Sequence, residues 1–339
     1  LVVQPGTIDQ VIVTDTDGLT INGGGIFLFE DDGTTPFSTI GGGPYNLIRY
    51  DGSIGGDLAN LYVENTVPDT RYTFGTGSVG GFDYVQLNIA KRGYWNGASG
   101  IDPNWSTVAN WNDIAPETGD VLVFRAVGTV GAALKNDFDN GRSFASLQFD
   151  SAAPAFTLDG NSIKLTGQGG QKVIMVNNSG NIQTVNMAIE LKANGKIDAN
   201  SAAIVVGGDI SGDYSLTKIG GSQLTLSGDN SHTGGTIINA GNVVLGSPTA
   251  LGTGGNLTLG GGSLDLGPTS QAVGAVSVTA AAPSGGTIHS GGLTANSYAV
   301  SATDDVAISA DLGGGSAGLA KSGAGTLTLS GTNTYTGLT

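Results

Sequence analysis

The chain has 339 residues, 59 of them glycine and none cysteine, and its 28 acidic against 13 basic side chains leave a net charge of −15. An acidic field with no Lys/Arg cluster repels phosphate backbones, which excludes nucleic acid as a main partner. With 39% hydrophobic and only 12% charged residues the composition is not that of a charge-expanded disordered chain, so a fold with a long, thin core is expected.

Glycine follows no strict three-residue period, which removes collagen. The longest apolar runs, such as 202–206, are about five residues against the ~18 of a bilayer-spanning helix, so no membrane insertion is expected. Absence of cysteine suits a protein exported unfolded. The chain opens on Leu1 with neither Met nor a basic region followed by an apolar stretch, which predicts processing or excision from something longer.

Short alternating stretches separated by Gly, Asn and Asp begin at once, with 10–13, 19–21 and 26–29 reading as strands. The turns Asp15-Thr16-Asp17-Gly18 and Glu30-Asp31-Asp32-Gly33, like Asp304-Asp305 further on, offer hard oxygen atoms, but none completes a calcium loop. Solvated turns are expected there, with weakly bound Ca2+ as the alternative and no other cofactor. The glycine runs 23–25, 41–43 and 313–315 lack a following helix and lysine, so they read as turns rather than phosphate loops.

Residues 94–118 gather all three tryptophans, Trp95, Trp105 and Trp111, among Asn and Ser. Indoles that lock a junction onto the core are expected, and exposed indoles stacking on a glycan are the alternative. Val121–Phe124 is the next apolar strand. Lys135, Asp137, Asp139 and Arg142 come nearest to the carboxylates and base of a polysaccharide lyase. Ordinary turn chemistry accounts for that spacing, and no catalysis is predicted. Val185, Met187, Ile189 and Leu191 alternate at period two without a helical stripe. His232 and His289 lie 57 positions apart with no cysteine beside them, so neither a zinc site nor a Cys-His nucleophile is proposed.

An internal repeat decides the architecture: 216–236 aligns without a gap on 319–339, with 12 of 21 positions identical. Alternation points Leu224 and Leu226, or Leu327 and Leu329, inward and Thr225 or Thr328 outward. Coils of roughly 20 to 25 residues stacked at ~4.8 Å per layer predict about 15 coils and a rod on the order of 70 Å. The expected fold is all-β, a right-handed parallel β-helix. Coils closing one module are expected over 1–93, a Trp-rich junction over 94–118, and coils bearing both repeats over 119–339.

The block from Leu319 through Ser322-Gly323, Leu327-Thr328-Leu329-Ser330-Gly331 and Asn333-Thr334-Tyr335-Thr336-Gly337 resembles the autotransporter-associated β-strand repeat, also called the passenger-associated transport repeat. The internal copy has His232 where the other has Tyr335, and Leu338 stands where the internal copy has Gly235. The tryptophan block is similar to the module start of large repeat-containing bacterial surface proteins. The resemblance implies a secreted or surface-displayed β-helix of a Gram-negative-type bacterium: an adhesin, passenger or stalk.

A β-helix exposes unpaired backbone over an apolar layer at each end. Leu1, Val2 and Val3 at one end, and Tyr335, Thr336, Gly337, Leu338 and Thr339 at the other, are uncharged in their side chains and suited to pairing. Residues 1–8 also read like 237–243, the continuation of the internal repeat. The expected partner is therefore the protein itself, as a head-to-tail polymer or as tandem modules in one polypeptide. The expected function is a unit of an extracellular fibre, with a ligand-binding passenger and then a lyase as alternatives.

Overall fold

In the computed structural model, placement is described for 3–4, 7–8, 10–29, 44–170, 172–279 and 288–339. The chain separates into two compact units, Leu1–Gly93 with Gly169–Gln171, and Tyr94–Gln168 with Lys172–Thr339.

The first unit holds two parallel layers. Val11–Thr16, Thr20–Ile21 and Gly24–Ile26 pair with Tyr45–Asp51, Gly55–Gly56 and Leu61–Val63, in registers such as Val11↔Ile48, Thr20↔Gly55 and Gly24↔Leu61. Leu28, Tyr45, Leu47, Val63, Leu87 and Ile89 form its core. Stacked coils were expected throughout 1–93; instead Thr70–Val79 and Phe82–Lys91 form an antiparallel hairpin that pairs back onto Tyr45–Asp51. The reason is local. No turn residue pair interrupts either arm, and Gly80 and Gly81, at φ 61° and 83°, supply the left-handed backbone of a two-residue hairpin turn. Val3–Gln4 pairs antiparallel with Thr7–Ile8, so this segment does not run as Thr236–Ile238 and Asn242–Leu245 do in two separate parallel sheets.

The second unit is a parallel β-solenoid. Its longest sheet stacks eleven strands, from Tyr94–Trp95 through Leu216–Ile219 to Leu319–Lys321, and spans about 50 Å. A second sheet stacks ten, from Ala133–Asn136 through Leu224–Leu226 to Leu327–Leu329. Register partners in the first sheet lie between 29 residues apart (Tyr94↔Val123) and 19 apart (Leu257↔Val276), which brackets the expected coil length. In many of the short strands the odd and even positions separate, as the buried, half-buried, buried order of Ile204–Val206 and Leu224–Leu226 shows, although Val121–Phe124 is buried throughout. Ile204 and Val206, Leu224 and Leu226, and Val243 and Leu245 stack inward, with burial of each large aliphatic contributing roughly 1.5–3 kcal/mol. Each strand presents only one such face, so a layer gains its core only when the next layer covers it.

The third face is discontinuous. Arg142–Phe144, Ile163–Leu165, Ile189–Leu191 and Ile210–Ser211 form one short sheet, and Ser270–Ala272, Gly292–Thr294 and Asp311–Gly313 form another. The break falls at the internal repeat, where the polar run 227–235 replaces the third strand.

Candidate functional site

The first layer of the second unit is built by the tryptophan block. Tyr94–Trp95 opens the eleven-stranded sheet, and Asn104 makes a parallel bridge to Lys135 at the start of the other. Between them the 3-10 turn Val108–Trp111 carries Trp111 inward. Trp95, Trp105 and Trp111 are each fully buried. Trp111 stands edge-on to Trp95 and Trp105, at 5.2 and 6.0 Å between ring centres, and its Nε1 donates to the Trp105 carbonyl at 2.8 Å. Phe124 and Phe149 continue the stack at 5.3 Å. Sugar stacking is thereby closed to these indoles, since no ring face reaches solvent. They fill the first layer of the second unit's core.

Of the four residues weighed for a lyase, Asp137 and Arg142 are engaged in structural contacts, and Lys135 and Asp139 are exposed. Asp137 accepts from the Ser106 amide at 2.8 Å and from its hydroxyl, while Arg142 donates to the Pro116 carbonyl at 2.7 Å and lies 4.0 Å over the Phe138 ring. Among the described residues no three His, Cys, Asp or Glu side chains gather as a metal site. Asp17 Oδ1 accepts from the Ser53 amide and hydroxyl at 2.5 and 2.7 Å, and Asp305 accepts from the Thr326 amide at 2.7 Å. These bonds hold both carboxyls below their usual range. The turn at 30–33 and the glycines 41–43 lie outside the described residues.

Those two aspartates belong to a recurrent device. Asp209 accepts from the Asp229 amide, Asp311 from Thr332, Asn140 from Ser162, Asn194 from Ser215, and Asn256 from Ala275. Each is a side-chain oxygen taking a backbone N–H one coil further on, at turns where the strand ladder pauses. Part of the acidic excess thus links successive coils at their exposed turns, each bond contributing modestly, about 0.5–1.5 kcal/mol.

Two polar residues of the internal repeat reach further. Asn230 accepts from the Ile210 amide of the preceding coil at 2.7 Å and donates to the Ala250 carbonyl of the following coil at 2.7 Å. It carries the hydrogen-bond ladder through the break in the third face, helped by Gln271, which donates to the Ser247 carbonyl at 2.7 Å. Lys218 shares the inward phase of Leu216 and is 1% exposed. Its ammonium donates to the carbonyls of Ile219 and Gly220 in its own turn, at 2.7 and 2.6 Å, and of Ala240 in the next coil, at 3.2 Å. Burial lowers its pKa to about 8. His232 is also enclosed, 3.1 Å from Thr236 Oγ1, and burial pushes the imidazole down to about 4. Sequence reasoning passed over Lys218 and Asn230 as sites. The available signal was a charged residue in phase with Leu216, identical in both copies.

The second copy repeats half of this arrangement. Leu319 N donates to the Leu338 carbonyl at 2.9 Å just as Leu216 N donates to Gly235, and Asn333 accepts from Leu312 N at 3.0 Å. Lys321 donates to the carbonyls of Ser322 and Gly323 at 2.6 and 2.9 Å. Leu327 and Leu329 are only half-buried. Among the residues expected at an assembly surface, Tyr335 packs 5.9 Å from Tyr298, Thr336 and Gly337 bond to the carbonyls of Gly315 and Ala317, and Leu338 is 92% exposed. Thr339 Oγ1 donates to the Tyr335 hydroxyl at 3.3 Å. Leu1 and Val2 lie outside the described residues, and Val3 sits in the small antiparallel pair.

The family model described as passenger-associated-transport-repeat matches residues 216–245 and 319–339. No curated protein and no solved structure matches the chain. The two matched segments form separate layers of one stacked parallel solenoid, so the chain carries the passenger-associated transport repeat at these positions.

Proposed function

We propose that this chain is a structural module of an extracellular fibre of a Gram-negative-type bacterium, in which the solenoid of one module continues as the solenoid of the next. The observation that carries the reading is that the two copies of the repeat build equivalent parallel layers of one solenoid, Leu216–Ile219 and Leu319–Lys321 lying in one sheet and Leu224–Leu226 and Leu327–Leu329 in another. The first unit supplies parallel edges of its own. Val11–Thr16, Thr20–Ile21 and Gly24–Ile26 are each terminal in their sheets and pair on one side, and Val11 and Ile12 are exposed. A contact between these unlike surfaces is heterologous and propagates as a filament unless its rotation happens to close. Strand addition between separate copies and peptide-bonded tandem modules use the same edges. The two coils of the first unit, followed by a hairpin that ends parallel stacking, fit the closing part of a module that the last coil would reach.

Sedimentation and negative-stain electron microscopy of the purified chain across a concentration series test the reading. Concentration-dependent thin filaments with an axial period near one chain's length are expected. A strictly monomeric chain at high concentration, together with native material lacking filaments, would sink it.

A further inference from the structure

An asparagine followed by glycine is prone to lose its side-chain amide, because glycine puts no side chain in the way when its nitrogen turns onto the asparagine carboxamide carbon. Two such pairs, Asn140-Gly141 and Asn194-Gly195, lie at turns between coils of the solenoid. Asn140 Oδ1 accepts from the Ser162 amide at 3.1 Å and from its hydroxyl at 3.4 Å, while Gly141 N donates to the Ser162 carbonyl at 2.8 Å. Asn194 Oδ1 accepts from the Ser215 amide at 3.1 Å, while Gly195 N donates to the Ser215 carbonyl at 2.9 Å. Each pair thus grips both backbone groups of one serine a coil further on, 22 and 21 residues away. Both asparagine side chains are exposed, so water and base reach them and burial is not what shields them. Nor is either glycine dispensable: Gly141 sits at φ 74°, and a Cβ on Gly195 would lie 2.8 Å from Ile174 Cδ1.

We propose that Asn140 and Asn194 are latent deamidation sites, held unreactive by this two-point clamp and released only when the next coil opens. In the reaction the glycine nitrogen attacks Cγ of the asparagine. A C–N bond forms, the C–NH2 bond breaks, and the glycine N–H proton leaves with the amide as ammonia. Water then opens the cyclic imide at either carbonyl, giving aspartate or isoaspartate. The clamp opposes the first step twice. The glycine nitrogen must give up a proton that it donates to the serine carbonyl, and Cγ must swing away from a serine amide that its own oxygen holds. The two products differ in consequence. Asp305 already occupies the equivalent place before a strand, its carboxyl accepting from the Thr326 amide at 2.7 Å and Val306 N donating to the Thr326 carbonyl at 2.8 Å. Aspartate therefore preserves the clamp, whereas isoaspartate, with one more backbone carbon, shifts the register of the strand that follows. The inference is independent of the stacking function proposed above.

Peptide mapping by mass spectrometry of the 339-residue chain, incubated at mildly alkaline pH, tests this. Deamidation at Asn140 and Asn194 is expected to be at least about tenfold slower in the folded chain than in the same chain unfolded in urea, since the clamp must open first. A smaller difference overturns the proposal. Leu216→Ala separates the clamp from general protection by folding. Leu216 follows Ser215 and pairs with Gly195, so its truncation loosens the coil that grips Asn194 and leaves the one that grips Asn140 in place. Deamidation at Asn194 is expected to rise at least about threefold, with Asn140 unchanged. Equal rises at both sites, or none at Asn194, would assign the protection to the fold at large and end the proposal. Should Leu216→Ala fail to fold, Leu216→Val carries the same comparison.

Discussion

The first and last layers of the 94–339 solenoid solve the same problem in opposite ways. At the start, three fully buried indoles pack on one another and on Phe124 beside the turn Val108–Trp111. At 319–339 the layer is left with half-buried leucines and an exposed Leu338. Between them, layers of similar sequence become fully buried because each is covered twice. The difference teaches that burial in a solenoid belongs to the neighbour relation rather than to the residue, as expected when stability is a sum of layer and interface terms.

The comparison can be broken most forcefully at the plug. Trp105→Ala is expected to cost ~3–5 kcal/mol in urea unfolding, whereas Leu338→Ala at the open layer should change stability by less than about 0.5 kcal/mol. Equal losses would mean the two layers are not different in kind. Next come equivalent leucines of the two repeats. Leu226→Ala is expected to cost ~2–5 kcal/mol and Leu329→Ala roughly half of that or less, a gap that should narrow once filaments form and cover Leu329.

Acid provides a third contrast. His232 is buried neutral at about 4 against an ordinary 6.5, so the unfolded chain binds the proton more readily than the fold does. Its contribution is complete above pH 6.5 and is lost as the pH falls toward 4, at most on the order of 3 kcal/mol. The other repeat has no histidine at this position, so acid should loosen the 216–236 repeat first. His232→Phe is expected to flatten the stability profile between pH 4 and 6.5, and an unchanged slope would remove the histidine from this role. The smallest effect concerns Asp305, whose bond to the Thr326 amide keeps its carboxyl below its ordinary value of 3.8. That link is intact above pH 3.8 and fails as the pH falls below it. Asp305→Ala should leave global melting nearly unchanged and raise exchange at Thr326 alone.

Much of the fold was legible in advance because its determinants are local. Period-two runs such as Leu224–Leu226 and Leu257–Leu259 define one inward face, and the gapless 216–236 and 319–339 alignment requires two equivalent layers. The hairpin Thr70–Val79 with Phe82–Lys91 was missed. Its strands alternate as coil strands do, and only the choice of partner, backbone of the same segment rather than of a neighbouring coil, separates the two outcomes. The tryptophans were ambiguous for the same reason, since an indole among Asn and Ser serves a plug or a sugar platform until its burial is known. Lys218 and Asn230 were visible as identities without a role, because their partners lie 20 and 22 residues away on another layer.

By itself the sequence determined the secondary structure, the coil length, the identity of the repeated layer and the acidic, cysteine-free character of the chain, because these depend on residues within one coil. Only the tertiary structure decided which layers are covered, where parallel stacking stops, and which polar side chains bridge coils. Those outcomes rest on backbone pairing between segments about twenty residues apart or more, where many partners are sterically equivalent and the free energy of covering the apolar layer makes the choice.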